Sequence, residues 1–166
     1  VVYTIHDTPD IIFIDNVNNQ AVDVYKDKGL KIKASQMCTE IFLYSDKDES
    51  FVCDLACLND LYYDEWNETD CVEIVTFLLD AVMTEFIEKA SKIKFLERAV
   101  KFAVKQRALG IGRLGYHSLL QSKLVAFESL EARNINVEIQ KTIFERAYEA
   151  SKKLAVIYGE PELLVG

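Results

Sequence analysis

Strand-forming runs in the first third of the chain, then several helical periodicities, predict a mixed α/β fold. The pattern fits either an α+β domain or part of an α/β barrel whose other strands lie elsewhere. Two observations carry this. Short continuous apolar runs such as Ile11-Ile12-Phe13-Ile14 suit strands buried on both faces. From about Asp70 onward, apolar residues recur every three or four positions instead, the period of a helix face.

The first run is followed by Asp15-Asn16-Val17-Asn18-Asn19, a loop-forming cluster. Val22 to Tyr25 is expected to be a short extended piece, and Lys26-Asp27-Lys28-Gly29 a turn. Leu30 to Tyr44 and Phe51 to Leu58 read as extended segments. They flank the polar loop Ser45-Asp46-Lys47-Asp48-Glu49-Ser50, which predicts a β-hairpin or neighbouring strands with a longer tip.

A helix is expected from Asp70, because Asp70 and Glu73 have the spacing of a capping box. Its apolar face is Val72, Val75, Leu79, Val82, Met83 and Phe86. A second helix is expected over about Ile93 to Leu109, with Phe95, Leu96, Val100, Ala103 and Val104 on one side. Gly110, Gly112 and Gly115 would break it and serve a tight helix–helix connection. A shorter helix covers Leu114 to Lys123. A long one covers about Leu130 to Tyr158 on Ile135, Val137, Ile139, Ile143, Phe144, Ala147, Leu154 and Ile157, stopped by Gly159 and Pro161. Its residues Glu131, Arg133, Glu138, Lys141, Glu145 and Arg146 form a charged outer face. Residues 1–66 would hold strands and 67–166 helices, within a single partial domain.

Composition narrows the function. The chain has 166 residues, enough for one domain with a sizeable core. A net charge of −8 argues against nucleic-acid binding, which needs clustered Lys and Arg. No apolar stretch is long enough to span a membrane, and Val1-Val2-Tyr3 carries no signal-peptide pattern, so a cytoplasmic protein is expected. The ends, without an initiator Met and stopping at Val165-Gly166, read as cuts through a larger protein. The strands would have unpaired edges if they stood alone, which also fits a fragment.

Cys38, Cys53, Cys57 and Cys71 form no CxxC pair, and His6 and His117 lie far from them in sequence, so a zinc site is not expected. Reduced, mostly buried thiols are the default. Cys57 falls on the same strand face as Cys53 and is expected to be a small buried filler. Cys71 sits at a helix start and is expected to pack. His117 is expected to pack on an apolar helix. Asp64 and Glu65 belong to a solvated loop. Gly110 to Gly115 contains the letters GxGxxG but follows a helix rather than a strand, which argues against a dinucleotide site.

The chemistry-bearing stretch is Ala34-Ser35-Gln36-Met37-Cys38-Thr39-Glu40-Ile41. In an extended segment Gln36, Cys38 and Glu40 share one face. A thiol there can donate a hydrogen atom or become a thiyl radical. A neighbouring carboxylate can act as general base toward a hydroxyl, and an amide can hold that hydroxyl. On spacing alone, a buried cysteine beside a solvated glutamate is the commoner arrangement.

Longer runs add to this. They are Ile12 to Asn19, Lys33 to Ile41, Glu49-Ser50-Phe51-Val52-Cys53-Asp54-Leu55-Ala56-Cys57-Leu58-Asn59, Gln106 to Gln121, and Tyr158 to Leu164. In this order the sequence closely resembles the middle of the large, catalytic subunit of class I ribonucleotide reductase. Only the first ten residues fall outside the resemblance.

The resemblance implies a ten-stranded α/β barrel with a central finger loop. It implies that Cys38 is the thiyl-radical cysteine acting on the ribose 3′ hydrogen, and Glu40 the general base on the 3′ hydroxyl. Cys53 would be one cysteine of the redox pair that reduces the 2′ position, its partner lying upstream of Val1. The implied substrate is a ribonucleoside diphosphate. The radical would come from a metal-containing small subunit and the electrons from thioredoxin or glutaredoxin. No cofactor is expected in this chain itself, and nucleotide effectors would bind elsewhere. The implied partners are the remainder of the large subunit and the small subunit, the complete subunit forming a homo-oligomer, with no nucleic acid and no membrane.

One position departs from the family pattern. Gln36 stands where the family has Asn, and Met37 where it has Leu. The extra methylene moves the amide by roughly 1.5 Å, and misplacements of about 1 Å can lower rates on the order of a hundredfold. This gives a second reading, a catalytically impaired or scaffolding piece of the same fold.

Overall fold

The structure is a computed structural model that describes residues 2–3, 11–12, 23–34 and 41–165. Strands β1 (Val2–Tyr3) and β2 (Ile11–Ile12) form a short antiparallel pair, with Val2 opposite Ile12. The remaining elements are α1 (Asp23–Asp27), β3 (Asp54–Asn59), a 3-10 turn (Asp60–Tyr62), α2 (Tyr63–Trp66), α3 (Cys71–Ala90), α4 (Glu97–Gln106), β4 (Leu109–Leu114), α5 (Tyr116–Ser122) and α6 (Leu130–Tyr158). Two compact units are built from them. The first contains residues 1–53, 86–107 and 161–166, and the second residues 54–85 and 108–160.

In the second unit, β3 and β4 pair in parallel, from Asp54 opposite Leu109 to Asn59 opposite Leu114. This corrects two expectations. β3 does not join the segment before it in a hairpin, and Leu109–Leu114 is a strand rather than a connection between helices. Parallel pairing needs a long crossover, which residues 60–108 supply. Glycine in a strand often marks a close approach. A Cβ placed on Gly112 would lie 3.0 Å from the Cys57 sulfur on the opposing strand. Gly115 has φ +76°, and a Cβ there would lie 2.2 Å from Asn59 Oδ1. That oxygen is already engaged, accepting from the Leu61 amide at 3.1 Å to start the 3-10 turn. The GxGxxG letters therefore describe a strand and its exit, not a phosphate loop.

The end of this ladder is held by a buried ion pair. Asp60 is fully buried, and Arg113 donates to both of its oxygens, from Nη2 to Oδ2 at 2.7 Å and from Nε to Oδ2 at 3.1 Å and Oδ1 at 3.3 Å. Arg113 also donates to Asn136 Oδ1 at 2.8 Å, which reaches α6. Its guanidinium lies 5.5 Å from the centre of the Tyr116 ring at the start of α5. One side chain thus ties the strand ends to two helices.

The core of the second unit is Leu58, Tyr63, Trp66, Val72, Leu119, Ile139 and Ile143. Tyr63 and Trp66 meet edge to face at 4.9 Å, and the Trp66 indole donates to the Asn59 carbonyl at 2.9 Å. Asp64 and Glu65 are exposed as expected but lie in a helical turn, where Asp64 pairs with Lys123 at 2.7 Å. α3 starts just after Asp70 and buries Val72, Leu79 and Met83, whereas Val82 faces outward. α6 has the expected bounds, with Ser129 capping the Ala132 amide at 3.0 Å. It buries Ala132, Ile139, Ile143 and Ala150, while Val137, Phe144 and Ile157 are exposed. Its charged face is not all solvent-facing in function, because Arg146 donates to the carbonyls of Asn67 (2.8 Å) and Thr69 (2.7 Å). α5 begins at Tyr116, two residues later than expected, because Leu114 stays in β4.

In the first unit, Asp23–Asp27 is helical rather than extended. The helix ends in a Schellman arrangement: the Leu30 amide donates to the Tyr25 carbonyl at 2.8 Å and the Gly29 amide to that of Lys26 at 3.1 Å, with Gly29 at φ +65°. This closure, and burial of Tyr25, outweigh the local preference for an extended chain. α4 is shorter than expected. Phe95 and Arg107 take left-handed backbone angles (φ 75° and 44°), which bound it on either side. Phe95 and Val104, expected to be buried, are exposed, whereas Phe102 is fully buried. Residues 30–34 and 41–53 carry no regular strand. The loop at 45–50 is instead closed by Asp46, whose Oδ1 accepts from the amides of Asp48 (2.7 Å) and Glu49 (2.8 Å). No helix among the described residues is long and apolar enough to cross a membrane.

Two predictions follow from these contacts. Replacing Arg113 by Met strands the buried Asp60 carboxylate, so unfolding free energy should fall by about 3–5 kcal/mol in denaturant titration. The second concerns Tyr44, whose hydroxyl donates to Asp46 Oδ2. That bond, helped by burial, pushes Tyr44 up to about 12, and it is the chief reason why Asp46 falls to about 2. The Asp46 contribution to stability is present above the unfolded carboxylate value of about 3.9 and lost as pH falls toward 2. The Tyr44 contribution is present below about 10 and lost as pH rises toward 12. Burial also raises Tyr25 and Tyr63, so ultraviolet titration should show several late-ionising tyrosines, one fewer in Tyr44→Phe.

Candidate active site

Three of the four residues singled out from the sequence, Gln36, Cys38 and Glu40, lie outside the described residues. What is described is the chain on either side of them. Ile32 before and Tyr44 after are both buried, and they meet Tyr25 and Leu163 in one small core. Val24, Leu30, Phe42 and Leu43 pack around it. The two flanks of the 35–40 stretch are therefore fixed in the same cluster.

The fourth residue, Cys53, is half-buried and immediately precedes β3. The chain leading to it is gripped by α4. Glu49 is only 3% exposed, and its Oε1 pairs with Lys105 at 2.9 Å and lies 3.9 Å from Lys101. The Ser50 amide donates to the Arg98 carbonyl at 3.2 Å, and Phe51 meets Phe102 edge to face at 6.5 Å. Arg98 donates in turn to the Asp46 carbonyl. At the far end of α4, Gln106 Oε1 accepts from the Tyr25 hydroxyl at 2.6 Å. Burial of Tyr25 raises its pKa, so it remains a donor at neutral pH.

The buried role of Glu49 was hidden in the sequence. Its neighbours in a polar hexapeptide made it look solvated, and its partner Lys105 lies 56 residues away. Asp54 was also missed. Desolvation raises its pKa, and its Oδ2 is buried without a hydrogen-bond partner. A carboxyl next in sequence to a redox-candidate cysteine and biased toward protonation is the kind of group that active sites use.

The remaining candidates are placed as follows. Cys57, expected to be buried, is exposed. β3 has β4 as its hydrogen-bonded neighbour among the described strands, so Cys57 leans over Gly112 rather than into a filled interior. Cys71 packs against the core of the second unit. His117 is exposed, with its ring 6.2 Å from that of Phe127, because α5 turns Leu119 and Leu120 inward instead. Among the described residues no group of three or more His, Cys, Asp or Glu is placed to hold a metal.

Comparison with known proteins bears directly on these residues. The family model for the ribonucleotide reductase barrel domain matches residues 6–163. The ribonucleoside-diphosphate reductase large subunit of Invertebrate iridescent virus 3 is 41% identical over 160 residues, covering 95% of this chain and 25% of that protein. The putative large subunit of Frog virus 3 (isolate Goorha) is 38% identical, covering 95% of this chain and 28% of that protein. Among solved structures, the Actinobacillus ureae class Id ribonucleotide reductase alpha subunit matches with a TM-score of 0.86 and 51% identity. The match covers 89% of this chain and 29% of that one. The chain thus spans little more than a quarter of the length of these relatives. It has an α/β fold and belongs to the ribonucleotide reductase barrel-domain family.

Proposed function

We propose that this chain supplies the part of a reductase barrel that carries the radical-bearing cysteine, acting on ribonucleoside diphosphates. The observation that supports this most is that the family match spans residues 6–163, the stretch that holds Cys38, Glu40 and Cys53. In this reading the segment is the finger-loop portion of a ten-stranded barrel, completed by the rest of the large subunit. A small subunit with a metal centre supplies the radical.

The residues divide the work as follows. Cys38, as a thiyl, takes the hydrogen atom from the ribose 3′ carbon and gives it back once the 2′ position has been reduced, which restores the thiyl. Glu40 accepts the proton of the 3′ hydroxyl, which helps the 2′ hydroxyl depart as water. Cys53 and a second cysteine outside this chain supply two electrons and two protons and end as a disulfide, later reduced by thioredoxin or glutaredoxin. One ribonucleotide and two thiols thus give one deoxyribonucleotide, water and one disulfide. Gln36 offers its amide to the substrate hydroxyl from a side chain one methylene longer than Asn.

The test is reconstitution with the remaining large-subunit sequence and a radical-generating small subunit. Cys38→Ala should abolish deoxyribonucleotide formation. Cys53→Ser should also abolish deoxyribonucleotide formation, because the thiol pair that supplies the two electrons is lost. Parental turnover in Cys38→Ala would sink the proposal. Gln36→Asn reports how the pocket treats the longer amide: a rise in kcat of tenfold or more marks an impaired site, and no change marks a pocket shaped for Gln.

A further inference from the structure

α4 touches every described stretch that leads to a proposed catalytic cysteine. Its Arg98 reaches the Asp46 carbonyl, and its Arg98 carbonyl accepts from Ser50. Lys101 and Lys105 converge on buried Glu49. Phe102 meets Phe51. Lys105 lies 6.0 Å from the Tyr44 ring centre, and its carbonyl accepts from the Leu163 amide at 3.0 Å. Gln106 holds the Tyr25 hydroxyl, and Tyr25 and Leu163 share the small core that fixes Ile32 and Tyr44.

The chemistry of this hub is a poor choice for stability alone. Glu49 Oε2 and Gln106 Nε2 are both buried without hydrogen-bond partners. Replacing a buried ion pair by apolar residues of similar volume is often neutral or stabilising. Directional bonds between distant chain segments do something packing cannot: they fix where each backbone runs.

We infer that Lys105 and Gln106, at the C-terminal turn of α4, are positioning residues. Through Glu49 and Tyr25 they set the chain flanking 35–40 and the approach to Cys53, and so the placement of both sulfurs for turnover. The inference rests on the proposed role of Cys38. A displacement of about 1 Å at a reacting atom lowers rate on the order of a hundredfold, so loss of either hold should act on kcat rather than on substrate binding.

The experiment uses the reconstituted reductase with Lys105→Met, Tyr25→Phe and the conservative Lys105→Arg. Substrate kinetics and amide hydrogen exchange over 30–34 and 41–53 are both measured. Tyr25→Phe removes a single hydroxyl and guards against simple failure to fold. The expected result is a kcat at least tenfold lower in Lys105→Met and Tyr25→Phe, KM within about twofold, faster exchange in both stretches, and recovery in Lys105→Arg. Parental kcat in both variants would overturn the inference, as would a loss that follows only the folded fraction with no recovery by Arg. Cys38→Ala is run alongside. If it is inactive while the α4 variants are normal, only the positioning role fails. If it is active, the catalytic reading fails and the positioning role with it.

Discussion

The Arg113–Asp60 pair is the constraint on which the second unit depends. Asp60 has no exposure, so its charge has to be met inside the protein. Arg113 meets it from two nitrogens of one planar fork, Nη2 on Oδ2 and Nε shared between Oδ1 and Oδ2, a geometry that a lysine could not reproduce. Because Asp60 directly follows β3 and Arg113 lies near the end of β4, the pair fixes the two strand ends side by side. The parallel register, the tight exit at Gly115 and the cap at Asn59 all follow from strand ends held that closely. From the same guanidinium, contacts extend to Asn136 on α6 and the Tyr116 ring on α5.

The first unit follows a different logic. Its described residues have little regular structure outside the helices and the short β1–β2 pair, and a few directional contacts made by α4 tie them together. That suits the role proposed for this segment, the holding of reactive groups at fixed points. Loops placed by a rigid support are where catalytic residues concentrate. Tyr44, Glu49 and Tyr25 each combine a buried body with specific polar contacts.

The sequence made the long helices legible because their signals are local. Gly159 and Pro161 mark the end of α6, and Asp70 marks the start of α3. It misled where the deciding partner is remote. Gly112 looks like a helix breaker until Cys57, more than fifty positions earlier, is seen to occupy the space a side chain would need. The expected hairpin failed for the same reason, since β3 finds its partner across residues 60–108. Of the candidate site, Cys53 and the family pattern around Cys38 were legible because long runs in fixed order are specific. Glu49 and Gln106 were not, because their importance lies in contacts with Lys105 and Tyr25 that no local pattern encodes.

The most direct test of the account is a structure of the complete large subunit with a ribonucleoside diphosphate bound. The quantity to measure is the distance from the Cys38 sulfur to the ribose 3′ carbon. The account predicts a near-attack separation of about 3–3.5 Å, with the Glu40 carboxylate within hydrogen-bond reach of the 3′ hydroxyl. A Cys38 sulfur separated from the ribose by another side chain would contradict it.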